Sequence, residues 1–264
     1  MTQRHLTSRT VSIVAGLAAL FLLIPLVSVI VRVPWSDAWG SVSSGPVADA
    51  LFVSLQTSLV AAVLSVVFGV PVAWWLAQHT GPVSRVVRVA CVSPIVLPPV
   101  VGGIALLAAF GRRGLVGQWL YDWWGVSIPF TRTAVVMAQL FVAMPFLVIA
   151  VEAAFRQSGT KLEEAARTLG AGPLRIFFRV SLPSVASSIM SGAVLAWARS
   201  FGEFGASITF AGSFPGRTQT LPMSVYEFTS TDYPAALVVS VLMIAVSVAV
   251  LVGLRDRWLN GAAR

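Results

Sequence analysis

The chain has 264 residues, of which 57% are hydrophobic and only 11% charged. Soluble domains carry about 25% charged residues, so this composition excludes a water-soluble globular protein and describes a membrane protein. The net charge is +8, but it falls in the segments between apolar runs, which argues against a nucleic-acid partner. The single cysteine, Cys91, excludes an intrachain disulfide and a Cys-cluster metal site.

A spanning helix needs about 20 predominantly apolar residues. Six segments meet that length, at 11–33, 51–77, 89–110, 133–155, 184–210 and 235–254, which predicts an all-α polytopic membrane protein with six transmembrane helices. The first follows a basic tip of Arg4, His5 and Arg9. Its apolar run is too long for a signal peptide and no clear A-x-A site follows, so it reads as a retained span. Residues 34–50 carry Pro34, Gly40, Gly45 and Pro46 and read as an outside loop. The chain therefore divides into a peripheral span with its loop over 1–50, a compact block over 51–254, and a tail over 255–264.

Pro71 in the second span and Pro145 in the fourth read as ordinary kinks. The third span contains Leu97-Pro98-Pro99, followed by Gly102 and Gly103. Two prolines remove two backbone donors. Such a break is stable in a membrane only where protein or a water-lined cavity satisfies the freed carbonyls. Pro98 and Pro99 are thus expected on a translocation path or a neighbouring helix, away from lipid. Residues 111–132 carry Trp119, Tyr121, Trp123 and Trp124, the composition of an interfacial helix. Residues 211–234 read as a second outside loop, broken by Gly212, Pro215, Gly216 and Pro222. Glu152, near the inner end of span four, reads as solvated at the interface.

With the N-terminus inside, twelve Lys and Arg residues fall in the inside segments and five in the outside ones. The positive-inside bias places both termini and the loop between spans four and five in the cytoplasm. In that loop, Thr160 and Glu163 have the spacing of a capping box, which starts a helix at residue 161. Leu162, Ala165, Ala166 and Leu169 recur on one face. Glu163 and Arg167 have the i,i+4 spacing of an ion pair. Gly170-Ala171-Gly172-Pro173 ends the helix, and a second short run from Leu174 to Val180 leads to Pro183 and the fifth span. A lipid-surface helix accounts for the apolar face and the arginines. It gives no reason for small residues followed by Gly-Ala-Gly-Pro, which suit a rigid knob in a protein groove.

The spacing of Glu164, Ala165, Ala166, then Gly170, then Val180, Leu182 and Pro183 resembles the E-A-A loop of permease subunits in ABC importers. Val180 replaces the isoleucine of the pattern. The resemblance covers about 200 residues and implies a type-1 permease fold, with the loop as a cytoplasmic coupling helix. It implies a cleft in a separate ATP-binding subunit that receives the knob, two such subunits, and a second permease chain. It also implies an extracytoplasmic binding protein that delivers cargo, in a bacterial or archaeal cytoplasmic membrane.

In span five, Arg199 and Glu203 lie four residues apart. Ionisable residues inside a membrane are costly and seldom face lipid. They read either as an ion pair holding helices together or as part of a substrate path or gate. Gly192, Gly202 and Gly205 permit close helix packing. The run from Ala198 to Gly212, with Thr220, Leu221 and Pro222, resembles molybdate permeases, and its core resembles sulfate permeases too. This likeness implies an oxyanion cargo, molybdate or tungstate, and a homodimer; the sulfate or thiosulfate alternative implies two different permease chains.

The chain has no G-x-x-x-x-G-K-[ST] phosphate loop, so ATP and its Mg are expected on the partner ATPase, with no cofactor, metal or catalytic residue in this chain. The two histidines, His5 and His79, fall outside the spans, which leaves an intramembrane enzyme without a base. A secondary transporter commonly shows paired repeats, and none is evident.

Overall fold

In the computed structural model, the described residues are 9–36, 40, 45–159 and 161–261, with side chains described within these ranges from 11 to 250 and at 252. Arg4, His5, Thr160 and the side chains of the 255–264 tail lie outside the described residues. Among the described residues the fold is all helical, without strands.

Helix α1 spans Arg9–Arg32, α2 Gly45–Gln78, α3 Pro82–Val96 and α4 Pro99–Phe110. Next come α5 over Gly117–Trp124, α6 over Arg132–Ser158 and α7 over Lys161–Thr168. Helix α8, Pro173–Ser184, contains a π turn at Phe177–Ser181 and meets α9, Ala186–Phe201, at a bend of 76°. The chain continues as α10 over Gly205–Ala211, α11 over Leu221–Thr231 and α12 over Tyr233–Gly261. Helices α1, α2, α6 and α12 are long and apolar enough to cross a membrane, and the bent pair would make a fifth crossing.

The core is a three-helix contact of α2, α6 and α9. Its buried cluster sets small residues, Ala73 on α2, Ala143 on α6 and Ala196 on α9 with Gly192 nearby, among Val70, Leu147 and Val151. Lipid tails are as apolar as leucine, so helices in a membrane associate through close packing rather than through the hydrophobic effect. Gly69 illustrates the closeness, since an added Cβ would lie 2.8 Å from Leu147.

Helices α2 and α6 run parallel. Arg132, at the start of α6, donates to Gln56 Oε1 at 2.8 Å and to the Gly216 carbonyl at 2.9 Å, while Arg156 near its end reaches the Leu76 carbonyl at 2.7 Å. Helix α9 runs the opposite way, from the Val185 cluster beside Leu76 and Phe155 to Phe201 beside Val47 and Leu221. The α3–α4 segment is likewise antiparallel to α6, with Arg88 beside Glu152 and Leu106 beside Val135. The loop at 79–81 and helix α7 with its turn at 169–172 therefore share one end of the bundle, and the segments at 111–131 and 212–220 share the other.

Several sequence expectations are corrected here. Helix α2 begins at Gly45 within the expected outside loop, and Val47 and Ala50 are buried. The third expected span is two helices. Leu97 is extended (φ −68°, ψ 136°) because the following proline disfavours helical geometry, and Pro99 then opens α4 as an N-terminal proline. The fifth expected span is also two helices, interrupted over 202–204, and its first residue in line is Ala186, after the bend. The 211–234 loop contains α11, with Leu221, Met223 and Ser224 buried and Pro222 in its first turn. Gly212 and Gly216 do turn the chain there, at φ +67° and +69°. The aromatic loop forms α5 as expected, with Trp119, Trp123 and Trp124 exposed.

Candidate functional site

The two interrupted segments cross each other near their breaks. A Cβ added at Gly205 would lie 2.6 Å from Pro99 Cβ, and one at Gly103 would lie 2.6 Å from Thr209 Cβ and 2.8 Å from the Ala206 carbonyl oxygen. Only glycine permits this approach of α4 to α10. Beside the crossing is a cavity of about 100 Å³ whose lining includes Pro94, Ile95, Pro98, Pro99, Phe141 and Arg199. Prolines at 98 and 99 deprive the carbonyls four residues back, those of Pro94 and Ile95, of their helical donors. Both of those residues line the same cavity. The expected pathway residues Pro98, Pro99 and Arg199 are thus brought together, from positions about 100 residues apart in sequence.

Glu203 joins them through Arg199, with Nη1 at 2.7 Å from its Oε2. It sits in the break rather than in a helix, with its side chain 1% exposed, against 30% for Arg199. Its other oxygen accepts from the Ala206 N–H at 2.9 Å, filling one of the unpaired donors at the start of α10. Both of its oxygens are therefore engaged within the protein, and Arg199, which it pairs with, lines the cavity.

The E-A-A residues form a separate feature at the end of the bundle. Glu164 and Ala165 are exposed on α7, and Ala166 is half-buried. Gly170 follows at φ +80°, which turns the chain into α8. Val180 and Leu182 are half-buried in α8, and Pro183 is exposed. The apolar face of α7 points outward, with Leu162 65% and Leu169 87% exposed. Among the described residues, none buries Leu162, Ala165 or Leu169.

Glu163 faces the other way. Its ion pair with Arg167 does not form, and the capping box with Thr160 lies outside the described residues. Its Oε1 accepts from Ser181 Oγ at 2.5 Å and from Trp74 Nε1 at 3.3 Å, and its Oε2 accepts from Gln78 Nε2 at 3.0 Å. These three donors lie on α2 and α8.

Glu152 also departs from expectation. It is buried, 8% exposed, and its Oε1 holds Arg88 at 2.6 Å and Arg156 at 2.9 Å. Burying a carboxylate is costly unless it is paired, and two guanidiniums supply the pairing. The i,i+4 spacing of Glu152 and Arg156 is visible in the sequence; Arg88, 64 residues away, is not.

Residues 65–260 match the family model for the "binding-protein-dependent transport system inner membrane component". The chain is 46% identical to a Mycobacterium bovis protein named molybdenum transport system permease protein ModB, over 92% of this chain and 91% of the relative. It is 39% identical to the Escherichia coli K12 protein of the same name, over 82% of this chain and 94% of the relative. Among solved structures, the inward-facing MetNI methionine ABC transporter aligns with a TM-score of 0.62 at 20% identity, covering 81% of this chain and 95% of that one, a likeness of fold. The E-A-A spacing, the helical fold and these matches agree: the chain belongs to the family of binding-protein-dependent transport system inner membrane components.

Proposed function

We propose that this chain is the permease subunit of an ATP-driven importer for an oxyanion, molybdate or tungstate. The observation that carries the reading is the α7 knob. It is a short helix at one end of the bundle, with Leu162 and Ala165 exposed on it, Leu169 exposed just after it, and a left-handed glycine behind. That is the shape of a part meant for a groove in another protein. Glu164, Ala165, Ala166, Gly170, Val180, Leu182 and Pro183 form or support this knob. The oxyanion assignment draws on the span-five run at 198–212 and on the relatives whose printed names concern molybdenum.

In this reading two separate ATPase subunits bind ATP and Mg, and two copies of the permease each present one knob. A binding protein delivers the anion to the outer face. The chain crosses the membrane six times with both termini inside; alternation of the segments in the bundle and the distribution of Lys and Arg support that orientation. ATP binding draws the knobs together and opens the path outward, and hydrolysis resets it. The permease supplies two accessible states, biased by its partners. Pro98, Pro99 and Arg199, with Glu203 behind the arginine, form part of the gate.

The test is uptake into vesicles bearing the permease with its ATPase, with labelled molybdate competed by tungstate and sulfate. Uptake should require ATP hydrolysis and be blocked by tungstate well before sulfate. Preferred sulfate uptake would transfer the assignment to the sulfate alternative. Uptake by the permease alone, driven by an ion gradient, would overturn the importer reading.

A further inference from the structure

The last turn of α2 is gripped by two polar networks. A helix leaves its final carbonyls without internal partners, and Leu76 lies two residues before the end of α2 at Gln78. Its carbonyl accepts from Arg156 at 2.7 Å and from Arg88 at 3.5 Å, the same arginines that share Glu152. One point therefore ties α2, α3 and α6 together. On the same turn, Trp74 and Gln78 are four residues apart and so share a face. Both donate to Glu163 of α7.

Glu163 reaches a third element through Ser181, the last residue of the π turn in α8. Phe177, the first residue of that turn, lies against the Trp74 ring, with centroids 4.9 Å apart. A π turn carries an extra residue per turn and re-aims the side chains around it; here Ser181 reaches Glu163 and Phe177 reaches Trp74. Helix α7 has no buried residue of its own. With so little packing, the three hydrogen bonds of one carboxylate are a direct tie between α7 and the α2 and α8 segments.

Resting on the importer reading, we infer that Glu163 is the positioning residue that carries displacement of the coupling helix into α2 and α8, from where the Arg88–Glu152–Arg156 cluster passes it to α3 and α6. Glu163 lies just before the E-A-A spacing and is no part of it. Its side chain points into the protein, away from the face offered to a partner.

The experiment uses the assembled transporter, with ATPase and binding protein, in proteoliposomes. It measures molybdate uptake per ATP hydrolysed, together with co-purification of the ATPase subunit. Glu163→Ala should co-purify with the ATPase as the wild type does, while uptake per ATP falls about ten-fold, the scale of losing a charge-assisted hydrogen bond. Glu163→Gln, which keeps an accepting oxygen, should recover much of the ratio. The pair Trp74→Phe and Gln78→Ala, which keeps the Ser181 bond to α8, should lose part of the ratio, and adding Glu163→Ala should bring it only to the level of Glu163→Ala alone. If Glu163→Ala fails to assemble, Trp74→Phe alone, which keeps the ring on Phe177, should still lower the ratio. A wild-type ratio in the assembled variants overturns the inference, as does an additive triple variant. A wild type without ATP-driven uptake would instead sink the importer reading itself.

Discussion

The carboxylate of Glu203 serves Arg199 through one oxygen and the first turn of α10 through the other. Its replacement should therefore cost more than an exposed ion pair. Breaking a buried pair costs about 3–5 kcal/mol where both partners are buried. Arg199 is 30% exposed, so Glu203→Ala is expected near or below the low end, at about 2–3 kcal/mol. Glu203→Gln loses the pair but keeps an acceptor for the Ala206 N–H, and should lose about 1 kcal/mol less than Glu203→Ala. Thermal unfolding of the detergent-solubilised chain would rank the three proteins, and equal losses for Ala and Gln would show that the cap contributes nothing. The i,i+4 spacing of this pair was legible in the sequence. The capping role was not, because it requires the break at 202–204 to bring Glu203 to the start of α10.

At the scale of the element, α7 and its turn combine a readable pattern with an unreadable attachment. The small-residue face and the Gly-Ala-Gly-Pro stop follow from local periodicity and backbone chemistry. A Cβ at Gly170 would meet nothing within 4 Å, so its φ of +80° is the whole constraint. Gly170→Ala should therefore strain the turn by about 1–2 kcal/mol without a clash and reduce uptake modestly. A bulky charged residue such as Gly170→Arg should abolish uptake while the protein stays in the membrane. Membrane fractionation alongside transport assays separates these outcomes, and wild-type uptake by Gly170→Arg would remove the knob from the coupling step. The two interrupted segments were half legible. Pro98-Pro99 announces its break, whereas the interruption after Phe201 has no proline and depends on Gly205 reaching Pro99.

For the whole molecule, α1 stands apart. Its spanning window has no buried residue, and its described neighbour is α12. The core of α2, α6 and α9 draws nothing from it. Removing residues 1–36 should therefore leave ATP-driven uptake within about two-fold of the full chain, under ~0.5 kcal/mol, once membrane levels are matched by immunoblot. A larger loss per inserted molecule would mean that α1 belongs to the transport unit rather than its edge.

Membrane character, helical class, the E-A-A knob and the proline break are all written in the sequence, because each rests on composition, on short-range periodicity or on the backbone chemistry of proline and glycine. Three features were decided only by the tertiary structure. Glu152 gathers Arg88 as well as its helical neighbour Arg156; Glu163 accepts from Trp74, Gln78 and Ser181; and the breaks at Pro98 and Glu203 meet at one cavity. In each case the partners lie on different helices, tens of residues away in sequence. A buried charge takes whichever donors the packed bundle brings within reach, and sequence spacing along one helix cannot report on those.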